Sequence, residues 1–398
     1  MSEPEPLTFP QLSNAIAGNT AAFRMVTRLQ PAGGPGDKVF PPTYEGGKYA
    51  TERRSVDGRE ADCVLLDSVQ SQANRMEQAL LAAYDRGLLR FPLLSVQIPS
   101  VGRITTLDAP HRIADAIFRD SLLGGKPFRE SREGQSFTDA RTTNATPLFT
   151  LCPTALIFGM WDSTGPRGGM GAKFARALVS EVVGLDVVPG KRTASRLDPL
   201  QIAVGAGPVY QHATDGWTLD PSAAVTDGKK KGDPLRVKDG KPSEINHGNV
   251  TPTIADGGFT IGQAVQTTVL SLPALRRLRF PLGEKGPEAP RDHAAQVTLA
   301  ALALAAIVYQ REEGYDLRSR CQLVPSAPPA FELVSGEGKP PSRFSLTAQE
   351  AAALLAEAVK GATRANLPWR EQPIVLEPAP KLVELVKRSQ ALQARQEG

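Results

Sequence analysis

Between Leu65 and Leu89 the apolar residues Val69, Ala73, Met76, Leu80, Ala83 and Tyr84 recur at helical spacing, and Gly87 is a natural stop. The other side of this helix carries Ser68, Gln70, Gln72, Asn74 and Arg75. Amides stand there in place of the Glu and Lys that usually cover a solvated helix. Such a face either meets a partner that needs hydrogen bonds or packs on another part of the same protein. Asp108 and Pro110 read as the cap and first turn of a further helix, HRIADAIFRDSLL, with Ile113, Ile117 and Leu122 inward and His111, Arg112 and Arg119 outward. From Gly124 to Thr146 the chain turns polar and cationic, with Lys126, Arg129, Arg132 and Arg141, and reads as a long loop. The pattern as a whole predicts a helix-rich N-terminal half, a polar middle and a helical C-terminal third.

The segment Pro153 to Gly184, PTALIFGMWDSTGPRGGMGAKFARALVSEVVG, concentrates the candidate chemistry. Its apolar run Thr154 to Trp161 predicts a strand, which breaks at a glycine-rich loop carrying Arg167 and opens into a helix bearing Lys173 and Arg176. Glycines let a ligand approach the backbone, a helix N-terminus offers unpaired N–H groups, and cations flank both, so the arrangement predicts an anion site. The nucleotide motifs do not fit. The position that the Walker pattern reserves for its second glycine is Met170, and Lys173 is followed by Phe174 where that pattern needs Ser or Thr. GMGAKF lacks the third glycine of the dinucleotide fingerprint. A nucleic-acid backbone is the remaining polyanion of choice; the competing reading is a plain tight turn with solvated cations.

Further along, KRTASRLDPLQIAV leads into Gly205 to Gly258, rich in Gly, Pro, Asp and Lys and including the run Lys229 to Lys231. This predicts turns joining short strands in an insertion that projects from the core. Gly262 to Leu282 returns to apolar alternation. Asp292 is placed as the cap of a long alanine-rich helix ending near Gly314, a strand-like CQLVP follows, and Thr347 with Glu350 forms a capping box. The amphipathic KLVELVKRSQALQ closes a helical C-terminal elaboration spanning 346–398.

Composition sets outer bounds. With 398 residues, 41% of them hydrophobic, the chain can bury a large core. A net charge of +4 and a pI near 8.9 suit an anionic partner. Cys63, Cys152 and Cys321 are far apart and odd in number, which supports neither a disulfide framework nor a metal knuckle, and no metal or cofactor is expected. The N-terminus MSEPEPLTF has acids and prolines where a signal peptide has cations and an apolar core, and Ala294 to Tyr309 reads as too short and polar a run to span a bilayer. A cytoplasmic protein without membrane contact is expected.

LLDSVQSQANRMEQAL, HRIADAIFRDS, PTALIFGMWDSTGPRGGMGAKFARALVSEVVG and SRLDPL, in this order from about Asp67 to Leu200, together resemble the backbone subunit of a type I CRISPR interference complex of subtype I-G, formerly I-U. The resemblance implies an α+β fold of the RAMP superfamily across 1–398. Its parts are an RRM-like (ferredoxin-like) palm, an antiparallel sheet backed by helices, and large insertions including a thumb, for which 124–146 and 205–258 are the candidates. It implies a non-catalytic, CRISPR RNA-binding subunit whose copies polymerise along the guide and present it for pairing with a target DNA strand. Its other partners would be the large subunit, a fused handle-capping and repeat-processing subunit, and a recruited helicase–nuclease.

A subunit that accepts any guide must contact phosphates and 2′-hydroxyls and leave base edges free. Arg167, Lys173 and Arg176 with the backbone of Gly168, Gly169 and Gly171 are expected to grip phosphates. Ser68, Gln70, Gln72, Asn74 and Arg75 supply further donors, His111 and Arg112 lie beside them, and Arg192 and Arg196 extend the track. An aromatic content of 6% argues against a platform of stacked bases. The competing class is a metal-independent ribonuclease with His111 as general acid or base and Lys173 as charge stabiliser, although His111, His212, His247 and His293 are scattered. A nucleotide-binding regulator using the Gly165 to Lys173 loop is the third reading.

Overall fold

The run TAAFRMVTRLQP alternates Phe23, Met25, Thr27 and Leu29 inward with Arg24, Val26 and Arg28 outward, the period of a half-buried strand. In the computed structural model, which describes residues 4–165, 171–226, 232–283 and 286–397, this strand is the spine of the protein. Its contacts divide the chain into two compact units, residues 1–188 with 259–382 and residues 189–258 with 383–398.

The first unit is built on a nine-stranded sheet. After helix α1 (Phe9–Ala17) come β1 (Thr20–Pro31), the hairpin β2 (Thr51–Val56) and β3 (Arg59–Asp67), and helix α2 (Val69–Asp85). A long excursion then returns to β4 (Leu178–Leu185), and β5 (Gln263–Ser271) follows. Next are α3 (Ala289–Glu312), β6 (Tyr315–Arg318), β7 (Cys321–Pro325), β8 (Ala330–Ser335), β9 (Ser342–Phe344) and α4 (Ala348–Arg364). The order across the sheet is β6-β7-β1-β5-β4-β3-β2, with β8 sharing the edge of β1 used by β7 and β9 paired to β8.

β5 lies antiparallel to β1 (Ala22 opposite Ser271, Leu29 opposite Ala264) and to β4 (Leu178 opposite Leu270, Leu185 opposite Gln263). β1 and β4 are therefore parallel with β5 between them, and β5 and β7 parallel with β1 between them; along the chain α2 lies between the first pair and α3 between the second.

Both crossover helices cover one face. Gln72 of α2, Ser180 of β4 and Gln266 of β5 meet there without solvent exposure. Gln266 Nε2 donates to Gln72 Oε1 at 2.8 Å and to Gln310 Oε1 of α3 at 3.0 Å, while Ser180 Oγ donates to Gln72 at 3.0 Å. Tyr315 Oη closes the network on Gln266 Oε1 at 2.9 Å. The opposite face is open at Val26 and Val179, and the ion pairs Arg24–Glu332 and Arg54–Glu181 cross its strands.

α3 is apolar all round because α1, α2 and α4 enclose it; its length and hydropathy would suit a membrane span, but 89% of its most apolar window is buried inside the protein. It starts earlier than the sequence suggests, with Pro290 in its first turn. Asp292 is a helical residue whose carboxylate accepts from Phe280 N at 2.7 Å rather than serving as the cap. The capping box of Thr347 and Glu350 is present at the start of α4. The C-terminal third is not purely helical: Ile374–Pro378 inserts between Leu94–Ile98 and Ser121–Leu123 in a second, five-stranded sheet.

The excursion between α2 and β4 departs furthest from the sequence reading. HRIADAIFRDSLL is one 3-10 turn (Arg112–Ala114), one helical turn (Ala116–Arg119) capped by Asp115, and a strand (Ser121–Leu123). Asp108 instead closes a turn by accepting from Thr105 N and Oγ1. Residues 124–146 are not an open loop. Phe128 and Phe137 are fully buried and stacked at 6.2 Å, helix Arg132–Thr138 is capped by Ser131, and Arg129 is held by the buried Asp162. The helix-rich expectation for the N-terminal half also gives way, because β1, β2 and β3 lie there.

In the second unit, Val188–Arg196 pairs with Val250–Thr260, and Tyr210–His212 forms a hairpin with Gly216–Thr218. The short strands and turns expected for 205–258 are thus present. Asp198 ties the base of this insertion by accepting from the backbone N–H groups of Leu200, Ile202 and Gly248. Lys229 to Lys231 lie outside the described residues.

Candidate nucleic-acid interface

The expected strand–loop–helix is reversed. Thr154–Phe158 is a short helix, and Gly159 ends it at φ +82°. Met160–Trp161 pairs antiparallel with Lys173–Phe174, and Ala177 leads straight into β4. TALIF is buried on every side, so it lacks the periodicity that separates strand from helix. ALVSEVVGL is a β-branched run flanked on both edges, by β5 and β3, and a central strand is its natural form. Among the described residues no helix starts between Gly171 and β4: Lys173 sits on a two-residue strand and Arg176 on the extended link to β4. Arg167, Gly168 and Gly169 lie outside the described residues.

A cleft forms where three segments meet. The first turns of α2, whose cap Ser68 accepts from Ser71 N at 3.2 Å, present Gln70 and Asn74 to solvent. The turn at 110–112 adds exposed His111, the paired ribbon adds Trp161 and Lys173, and the link to β4 adds Arg176. Together these residues line a cavity of about 540 Å³. Gly159 is needed at its floor for a second reason besides its φ: a Cβ there would lie 3.0 Å from Arg176 Cγ and from backbone atoms of Phe174 and Arg176.

The floor is braced by a buried ion pair. Arg112 Nε and Nη2 donate to the two Glu77 carboxylate oxygens at 2.7 and 2.8 Å, and Nη1 donates to the Gly159 carbonyl at 2.9 Å. Their side chains are 7% and 2% exposed. Burial pushes the Glu77 carboxyl up to about 7, against the pull of the Arg112 and Arg176 charges. Arg112, placed outward by the sequence reading, is therefore a strut between α2, the 110–112 turn and the Gly159 turn.

Two other expected contacts point elsewhere. Gln72 is wholly buried in the network between sheet and helices. Arg75 turns away from the cleft, pairs with the buried Asp67 at 3.0 Å and donates to the Leu317 carbonyl at 2.5 Å. Asp67 also holds Arg318 at 3.2 Å, so Arg75 belongs to a three-member ion cluster on the sheet. Gly171 lines a neighbouring cleft with Lys173. Arg192 and Arg196 are in the second unit, where the stem of Arg192 covers Gly257.

Trp161 is the residue the sequence reading missed. It is 51% exposed in the cleft, with Lys173 Nζ 5.3 Å from its ring centroid. The aromatic total hid it, although a Trp at the end of an apolar run, just before a glycine loop, is a local signal. Among the described residues Lys173 and Arg176 form no salt bridge and no carboxylate lines the cleft. The surface joins free cations, neutral amide donors and one aromatic face, which suits a single-stranded polyanion with bases. Among the described residues no three His, Cys, Asp or Glu side chains are grouped to hold a metal.

Residues 23–189 match the family described as CRISPR-associated protein GSU0053. No curated protein matches the chain. Among solved structures, the crystal structure of Thermofilum pendens Csc2 aligns at 10% identity over 92% of this chain and 82% of that one, with a TM-score of 0.27, too low to carry an argument.

Proposed function

We propose, on the match of residues 23–189 to the family described as CRISPR-associated protein GSU0053, that this chain is the non-catalytic, guide-binding backbone subunit of a type I interference complex of subtype I-G. The observation that carries the proposal is the cleft in which Gln70, Asn74, His111, Trp161, Lys173 and Arg176 converge. These side chains can hold phosphate and sugar without reading base edges, as a protein that accepts any guide must. Copies of the subunit polymerise along the guide and leave its bases free for a target DNA strand. The further partners are the large subunit, the handle-capping and repeat-processing subunit and a recruited helicase–nuclease, in the cytoplasm.

The RRM-like palm of this proposal is supported by the strand order. With β1, β4, β5 and the β7/β8 edge as its four strands, the sheet runs fourth-first-third-second, with α2 and α3 as the crossovers. The thumb we assign to the insertion between β4 and β5, since it forms most of the second compact unit.

The test is to co-express the chain with its neighbouring genes and a CRISPR array, purify it, and sequence the RNA that accompanies it. Guide RNA of uniform length on many copies of the subunit supports the proposal; protein free of RNA overturns it. A second reading, a metal-independent ribonuclease, draws on His111 and Lys173 lining the same cleft. It requires that repeat RNA be cut by the purified protein and spared by His111→Ala, whereas the backbone reading expects intact RNA with both proteins.

A further inference from the structure

Lys173 lines two clefts. Besides the cleft with Gln70 and Asn74, it lines a second hollow of about 430 Å³, whose wall includes Thr138, Ala140, Arg141, Thr142, Gly171 and Ala172. Arg141 is exposed, and its side chain forms no ion pair or hydrogen bond among the described residues. Its backbone is held firmly. Arg141 N donates to Asn144 O at 3.1 Å and Asn144 N returns a bond to Arg141 O at 2.8 Å. Arg279 N then donates to the Thr142 carbonyl and Ala145 N to the Arg279 carbonyl, both at 2.8 Å. The guanidinium thus projects from a turn pinned at both ends. Among the described residues no carboxylate lines this hollow.

Resting on the RNA-binding reading of the first cleft, we propose that the hollow at Arg141 is a second phosphate subsite. A single-stranded RNA lying over Gln70 and Asn74 continues across Lys173, and its next phosphates meet Arg141 with Thr138 and Thr142. Lys173 stands on the ridge between the subsites and serves both. A cation on a fixed turn, with the hydroxyls of Thr138 and Thr142 beside it, selects the polyanionic backbone and no particular base. The segment 124–146 then acts as a fixed wall of the RNA track.

The experiment compares wild type, Arg141→Ala and Arg141→Glu in the full chain. Binding of oligouridylates of about four and about twelve nucleotides is measured by fluorescence anisotropy over a salt series. With the long RNA, removing one phosphate contact weakens binding by about fivefold near 0.1 M salt and lowers the slope of log affinity on log salt by about 0.7. The short RNA, which the first cleft accommodates, binds all three proteins alike. Equal weakening of both lengths would show that Arg141 contributes only general charge and overturn the subsite. Unchanged binding of the long RNA would overturn it too, while leaving the first cleft intact. If wild type binds neither RNA and Lys173→Glu changes nothing, the functional reading itself falls, and the subsite with it.

Discussion

Removing either partner of the Glu77–Arg112 strut should have sharply unequal consequences. In Glu77→Met the guanidinium stays 7% exposed with only the Gly159 carbonyl to accept from it, and arginine cannot shed its proton. At about pH 8, where the wild-type carboxyl is ionised, leaving a buried charge of this kind unpaired costs about 3–5 kcal/mol. In Arg112→Met the abandoned carboxyl is already held near 7 and, without the cation, sits higher. It is therefore neutral at neutral pH, and the loss reduces to charge-assisted hydrogen bonds worth about 1.5–3 kcal/mol.

The same pair makes stability fall as pH rises. Below the unfolded carboxyl value of 4.5 both states hold the proton; between 4.5 and about 7 the folded state holds it more tightly. That contribution, up to about 3 kcal/mol, is complete at the acid end and is gone once pH has passed the folded value. Urea unfolding at about pH 6 and about pH 8 provides the assay. Glu77→Met should be the more destabilised single variant and lose this pH dependence. Arg112→Met should push the dependence to higher pH, and Glu77→Met/Arg112→Met should be more stable than Glu77→Met alone. Equal single-variant costs, or a pH dependence that survives in Glu77→Met, would refute the reasoning.

Lys173→Glu with Arg176→Glu should weaken RNA binding for every guide sequence alike and lower the salt slope by about 1.4, two phosphates' worth on a single strand; a loss confined to certain sequences would contradict the phosphate assignment. Trp161→Ala should cost about 1–3 kcal/mol in binding single-stranded RNA if a base stacks on it, and should abolish most RNA-induced quenching of tryptophan fluorescence. Unaltered quenching would move the stacking elsewhere. Gly159→Ala, at φ +82° with atoms 3.0 Å from the new methyl, should destabilise the protein by about 1–3 kcal/mol in urea unfolding and weaken RNA binding through the displaced Arg176. A neutral outcome would mean that the turn is free to relax.

The chain by itself determined whatever depends on neighbours along it. The apolar stripe of α2 is a local periodicity, and so are the stop at Gly87, the capping box of Thr347 and Glu350, and the alternation that becomes β5. Each of these elements formed where its pattern lies. The amides of α2 were legible as a polar face, yet tertiary packing divided them. Gln70 and Asn74 open onto the cleft, whereas Gln72 is drawn under the sheet because Asp67, Ser180 and Gln266 can satisfy it there.

Burial on all sides erased the difference between helix and strand in TALIF and ALVSEVVGL. Only the edges offered by β3 and β5 made the second a strand, and that reversal removed the helix N-terminus expected at the glycine loop. Arg112 and Lys173 read alike as cations in the sequence. Glu77, far from Arg112 along the chain, neutralised the first as a strut, while Lys173 faces solvent beside Trp161, since the charge a cation has left to offer depends on the partners that folding brings to it.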